Sequence, residues 1–283
     1  MSDTHVTAPT QYVEAGGIRY AYRRFGAGSG VPLVFFQHFR GGMDHWDPAI
    51  TDGLGAGRPI ILFDNAGVAG SSGETPPSFD DMAKRAGDFL DALQIAEADL
   101  LGFSMGGFVA QSVALQFPGR VRKLVLVGTG PRGGVPSQDP NVPVHARSTD
   151  EKTGDSPLEA FLYLFFSPSD VGRKAGEAFW ERRQRRTEDR DVPASMQTMG
   201  AQLAAMQAWL GARDEDFAEL GRITQPTLVV NGSNDVMIPT INSYTLSQHI
   251  PNAQLILYPD SGHGAHFQYP ELFVMHATLF LDA

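Results

Sequence analysis

The chain has 283 residues, 42% apolar and 19% charged, a formal net charge of −10 and no cysteine. That length buries one substantial core, as one domain with an insertion or as two small ones. The acidic balance argues against nucleic acid or an anionic membrane surface as partner, since both call for a basic face. Without cysteine there are no disulfides, thiolate metal sites or cysteine nucleophile, so any nucleophile is an oxygen or a nitrogen. Met1-Ser2-Asp3-Thr4-His5 carries no basic stretch followed by an apolar one, and no later run reaches the length of a membrane helix. The expectation is a cytoplasmic protein acting on a small molecule; oligomeric state is not legible.

Gly17-Ile18-Arg19-Tyr20-Ala21-Tyr22 alternates in polarity and predicts an antiparallel edge ribbon. The runs 32–37, 59–64, 99–103, 123–127, 227–230 and 254–258 are nearly continuous in apolar residues, as strands of a parallel sheet buried on both faces tend to be. Between them, 79–93 and 106–117 read as helices, the second stopped by Pro118-Gly119, and a last helix spans about 270–281. After Gly130 the alternation breaks into a loop rich in proline and glycine, and no strand signal returns before about 222. Within that stretch Ser156-Pro157-Leu158-Glu159 has the form of a capping box opening a helix over 158–166. Met196, Met199, Leu203, Met206 and Leu210 recur at helical spacing on another helix. Arg182-Arg183-Gln184-Arg185-Arg186, set among acidic residues, reads as a solvated helix face. The fold class is therefore α/β, a mainly parallel central sheet with helices on both faces and an all-helical insertion. The core is expected over 1–130 and 223–283 and the insertion over 131–222.

Chemistry concentrates around Gly102-Phe103-Ser104-Met105-Gly106, a strand running into a helix through a G-x-S-x-G turn. A serine on such a turn takes a strained backbone conformation, and small residues on either side let the neighbouring chain pass. A neutral hydroxyl needs a base and a group to orient that base. Asp235 follows the strand at 227–230, and His263 follows the strand at 254–258, so both fall at the carboxyl rim where sites of parallel sheets gather. Asp235 also suits a turn, and His266 shares the loop of His263. Gly128-Thr129-Gly130-Pro131-Arg132-Gly133 matches a dinucleotide fingerprint literally, but proline stands where the phosphate-binding helix should begin.

With Ser104, Asp235 and His263 in that order, the chain resembles the α/β-hydrolase superfamily over nearly its whole length, and the insertion at 131–222 resembles the cap of those enzymes. The resemblance favours His263, from the pair Gly262-His263, over His266. It implies acyl transfer with Ser104 as nucleophile, His263 as base and Asp235 as its orienting carboxylate, with no cofactor and no metal. In the family a His-Gly-x loop follows the first parallel strand, a few residues before a tryptophan; here it reads Gln37-His38-Phe39-Arg40, with Trp46 beyond it. The resemblance puts the oxyanion donors on the N–H groups of Phe39 and Met105, and Asp64-Asn65-Ala66-Gly67 lacks the arginine of the family's Asp-x-Arg-Gly turn. Candidate substrate-lining residues are His38, Trp46, Phe161, Phe165, Met196, Met199, Met206, Trp209 and His266. The leading expectation is hydrolysis of a small, largely apolar ester or lactone. Thioester cleavage, carbon–carbon bond hydrolysis, perhydrolysis (the elbow is similar to that of cofactor-free haloperoxidases) and a non-enzymatic ligand receptor are the alternatives.

Overall fold

A computed structural model describes residues 3–148, 157–212 and 215–283. The strands are β1 (Gln11–Ala15), β2 (Ile18–Gly26), β3 (Leu33–Phe36), β4 (Pro59–Phe63), β5 (Ala98–Phe103), β6 (Val121–Val127), β7 (Thr227–Gly232) and β8 (Ala253–Tyr258). The helices are α1 (Pro48–Gly55), α2 (Phe79–Ala92), α3 (Met105–Gln116), α4 (Val142–Ser148), α5 (Pro157–Phe165), α6 (Asp170–Arg183), α7 (Met196–Gly211), α8 (Ile241–His249), α9 (Ala265–Gln268) and α10 (Pro270–Asp282). One sheet runs in the order β1-β2-β4-β3-β5-β6-β7-β8. It is parallel from β4 to β8, and β1 and β2 form an antiparallel ribbon along one edge.

The α/β class is thus observed, with the parallel strands where the apolar runs placed them. The reason is visible in the period-two split of their side chains. Val34, Phe36, Leu100 and Leu124 enter one cluster with Phe89 of α2 and Val109 of α3. Leu33, Phe35, Leu101 and Val125 enter the other with Ile50 of α1 and Phe273 of α10. With both faces covered, each fully buried Leu, Val or Phe contributes about 1.5–3 kcal/mol relative to exposure. Several elements escape the sequence pattern, α4, α8 and α9 among them, and two show why. β1 is mostly exposed and carries only Tyr12 and Val13 as large apolar residues, and α1 is legible only through Asp47, which caps it ahead of Pro48 at the first helical position.

Between β6 and β7 the described residues hold helices and loops but no strand. Ser156 of the expected capping box lies outside the described residues, and α5 begins at Pro157. Two expectations about this stretch are corrected. On α7 the buried positions are Thr198, Gln202, Ala205 and Trp209 rather than the methionine stripe, and Met196 is 77% exposed. The helix turns a partly polar face inward because that face hydrogen-bonds the core: Thr198 Oγ1 donates to the Gly67 carbonyl at 2.6 Å, and Gln197 Nε2 to that of Thr75 at 3.0 Å. The arginine run is not a solvated face either. Arg182 makes a two-bond pair with Asp47 at 2.8 and 2.6 Å, and Arg183 lies over the rings of Phe161 and Trp180. Arg186 is buried and donates to the Val6 and Ala8 carbonyls at 2.9 and 2.8 Å.

Next to Arg186, a buried ionic cluster joins the segment after α6 to the core. Arg23 pairs with Asp44, while Asp44 and Asp191 each accept the other's backbone N–H at 2.7 Å. Buried charges survive only when paired and hydrogen-bonded in this way. Asp64, without the arginine that its turn usually carries, accepts instead from the N–H groups of Met43 and Gly70 at 3.0 and 3.1 Å.

Candidate active site

Ser104 stands between β5 and α3 at φ 56° and ψ −122°, a conformation that costs a non-glycine residue of order 1–3 kcal/mol. Its surroundings hold it there. Its N–H donates to the Val127 carbonyl at 2.9 Å, and its own carbonyl accepts from Thr129 Oγ1 at 2.8 Å and from the Gly107 N–H at 2.9 Å. The flanking glycines are required by close approach. A Cβ on Gly106 would lie 2.0 Å from the Phe36 carbonyl oxygen, and one on Gly102 would lie 2.5 Å from that of Gly106.

Beyond β7, one carboxylate does two jobs. Asp235 Oδ1 accepts the N–H groups of Met237 and Ile238 at 2.8 and 2.9 Å, fixing the turn, and Oδ2 accepts from His263 Nδ1 at 2.8 Å. The turn and the histidine contact, alternatives in the sequence, coexist on separate oxygens. Because Nδ1 faces a carboxylate and donates to it, Nε2 is the nitrogen left to act as base. Nε2 is buried and makes no hydrogen bond, so Ser104 Oγ is not bonded to it in this structure. The His263 ring packs against Phe103, directly before Ser104, with centroids 5.0 Å apart. Hydrogen bonds of this kind are often long before substrate arrives.

The Gln37-His38-Phe39-Arg40 loop replaces the missing glycine with side-chain bonds. Gln37 Oε1 accepts the His38 N–H at 2.7 Å, His38 Nδ1 donates to the Phe39 carbonyl at 2.8 Å, and the Gly41 N–H donates to the His38 carbonyl at 3.0 Å. Arg40, at φ 63°, donates its N–H to Gln202 Oε1 of α7 at 2.8 Å. Of the N–H groups from 38 to 41, those of His38, Arg40 and Gly41 have acceptors; the Phe39 N–H is bonded to none among the described residues. Met105 opens α3, so its N–H has no acceptor inside the helix.

Aromatic rings pack around His38 and His263. Phe161 and Phe165 of α5 stack at 4.7 Å, and Phe165 lies 5.4 Å from the His38 ring and 5.5 Å from that of His263. Burial pushes His38 down to about 3 and His266 well below the usual histidine range, so both rings are neutral near pH 7. His266 is enclosed by Phe103, Phe267 and Phe273, a packing residue. Trp46 lies in the core, edge-on to Phe35 at 4.9 Å. Trp209 stacks on Phe108 and meets Phe79 edge-on, away from the expected lining role, and Met196 reaches solvent. Met199 and Met206 are half-buried; Met206 joins the cluster that holds Phe39 and Met105. Sequence reasoning misses Gln202 and Gln37, whose amides brace the loop; only their proximity in the fold reveals them. Among the described residues no group of three His, Asp or Glu side chains is placed to hold a metal ion, and no helix is long and apolar enough to cross a membrane.

Comparison with known proteins agrees with this fold. A solved α/β hydrolase fold protein from Chitinophaga pinensis is 45% identical, with a TM-score of 0.91, covering 99% of this chain and all of that one. The chain is 29% identical over 262 residues to the pimeloyl-[acyl-carrier protein] methyl ester esterase of Nitrosomonas europaea, covering 87% of this chain and 94% of the esterase. It is 31% identical over 235 residues to the poly(3-hydroxyalkanoate) depolymerase of Ectopseudomonas oleovorans, covering 82% of this chain and 78% of the depolymerase. The family model described as alpha/beta hydrolase fold matches residues 31–270. The chain belongs to the α/β-hydrolase fold family and is a hydrolytic enzyme of that family.

Proposed function

We propose that the enzyme is a serine hydrolase that cleaves a small, largely apolar carboxylic ester or lactone through an acyl-enzyme on Ser104. The observation that carries this reading is the 2.8 Å bond from His263 to Asp235, at the sheet rim where the strained Ser104 also stands. In this reading His263 Nε2 removes the Ser104 proton as Oγ attacks the carbonyl, and Asp235 keeps the imidazole in the tautomer that permits it. The N–H groups of Phe39 and Met105 hold the developing oxyanion, each worth about 3 kcal/mol of barrier. The proton on His263 passes to the leaving alcohol. Water then attacks the acyl-enzyme, with His263 again as base, and releases the acid and Ser104.

The described helices between β6 and β7 act as a cap, and Phe161 and Phe165 of α5 supply the apolar wall that suits a small apolar acyl group. The named relatives from Nitrosomonas and Ectopseudomonas, an ester esterase and a polyester depolymerase, support carbonyl hydrolysis over other chemistry. The test is a fluorophosphonate label located by mass spectrometry, together with turnover of a panel of short esters and lactones. We expect the label on Ser104 and a fall in kcat of about 10⁴-fold or more in Ser104→Ala. Label on any other residue, or unchanged turnover in the variant, overturns the assignment. Turnover restricted to diketones or to peroxide with acetate would move the substrate class while keeping Ser104.

A further inference from the structure

His38 occupies a position that glycine fills in the resembled family, and its bonding is unequal at its two nitrogens. Nδ1 faces the Phe39 carbonyl at 2.8 Å. A carbonyl only accepts, so Nδ1 carries the proton, and a neutral ring then presents Nε2 as a pure acceptor. Nε2 stands on the far side of Cε1 from Nδ1, so it is not the nitrogen that meets the Phe39 carbonyl. His38 is 6% exposed, and Nε2 has no hydrogen-bond partner. Around the ring stand Phe103, Phe161 and Phe165, none of which can donate a conventional hydrogen bond, and His45 edge-on at 5.3 Å. Phe103 and Phe165 are also the rings that pack against His263.

Burial holds His38 near 3, so the ring does not resolve its orphaned nitrogen by taking up a proton near pH 7. A desolvated acceptor is unfavourable until a donor reaches it, and a site built that way discriminates against analogues that lack the donor. The chain position says which part of the substrate is concerned. His38 precedes Phe39, whose N–H is assigned above to the carbonyl oxygen, so ring and N–H serve the same end of the substrate.

We propose that His38 Nε2 is a specificity-determining acceptor that selects acyl groups bearing a hydroxyl or enol O–H within two or three carbons of the scissile carbonyl. This rests on the serine-hydrolase reading above and adds to it the chemical class of the acyl group. The hydroxyl donates to Nε2 and remains intact through turnover; no bond to it forms or breaks.

The test compares kcat/KM for p-nitrophenyl butyrate with the 2-hydroxy and 3-hydroxy esters of the same chain length, in wild type, His38→Phe and His38→Gln. In wild type we expect at least one hydroxy ester to be favoured by roughly 10- to 100-fold over butyrate. The preference should collapse in His38→Phe, which keeps the aromatic shape, and return in part in His38→Gln, whose amide oxygen accepts. Equal handling of all three esters by wild type overturns the proposal, as does a His38→Phe variant that slows them in the same proportion. If no ester is turned over, calorimetry of the corresponding amides on Ser104→Ala reads the same preference as affinity: tighter binding of a hydroxy amide supports the proposal, and equal binding overturns it. The Ser104 label reports separately on the hydrolase reading, so a labelled enzyme with no hydroxyl preference refutes this proposal alone.

Discussion

Helices α5 and α7 both reach the catalytic rim, but they are attached to it by different forces. From α5, Phe161 and Phe165 meet His38 ring to ring, and Phe165 also meets His263; a backbone tie near the site is the Gly264 N–H donating to the Phe165 carbonyl at 2.7 Å. On α7, Thr198, Gln197 and Gln202 bond to Gly67, Thr75 and the N–H of Arg40. Apolar contact scales with area and is indifferent to angle, whereas a hydrogen bond weakens steeply when bent. In the proposed reaction the α5 side would then offer a shape for an acyl group to fill, while the α7 side holds the 37–41 loop at a fixed place. The described segment between β6 and β7 thus packs by rings through α5 and by hydrogen bonds through α7.

The largest effect should come from breaking the aromatic side. Phe165→Ala removes a ring buried to 4% exposure and should cost about 3–5 kcal/mol of stability in urea unfolding, while widening the range of acyl lengths accepted. A loss under about 1 kcal/mol would mean that α5 is held by something other than its rings. Cutting the α7 side should be milder for stability and more specific for rate. In Gln202→Leu the Arg40 N–H loses its acceptor, a cost of about 1–3 kcal/mol, and kcat should fall roughly tenfold with little change in KM. Gln202→Glu, which retains an accepting oxygen, should recover most of that rate; equal loss in both variants would mean that the amide does not brace the loop.

The smallest effect concerns pH and the segment that follows α6. Burial, with Asp44 adding to it, raises Asp191 to about 7, and burial beside Asp191 raises Asp64 well above the usual carboxylate range. Between about pH 4 and 7 these two carboxyls hold protons that the unfolded chain releases, so their own contribution to stability falls as pH rises, while that of the buried neutral histidines His5, His38, His45 and His266 rises as the unfolded histidines lose their protons. The melting temperature of Asp191→Asn relative to wild type should therefore rise between pH 5.5 and pH 8, as the wild-type carboxyl loses its proton. A difference that stays constant or falls over the same interval would contradict it.

Much of this molecule is legible in one dimension. The runs that became β3 to β8 announce themselves because strands covered on both faces need apolar residues at every position. The elbow announces itself because Gly102 and Gly106 must let the backbone pass. The buried face of α7 is hidden for a complementary reason. Periodicity detects apolar residues, and the side that docks on the core includes Thr198 and Gln202, whose value lies in the carbonyl and N–H groups opposite them. The arginines after Glu181 are hidden likewise: their partners, Asp47 and the Val6 and Ala8 carbonyls, lie more than a hundred residues away in sequence.

By itself, then, the sequence determined the sheet, the order Ser104, Asp235, His263 and the turn that strains the serine, because each depends on residue types at short spacing. Tertiary structure alone decided which nitrogen of His38 faces its own loop and which is left over, how Gln37 and Gln202 brace that loop, and which side of α7 is buried. Those outcomes depend on which donor meets which acceptor across the fold, and a hydrogen bond exists only at a distance and an angle that no local pattern encodes.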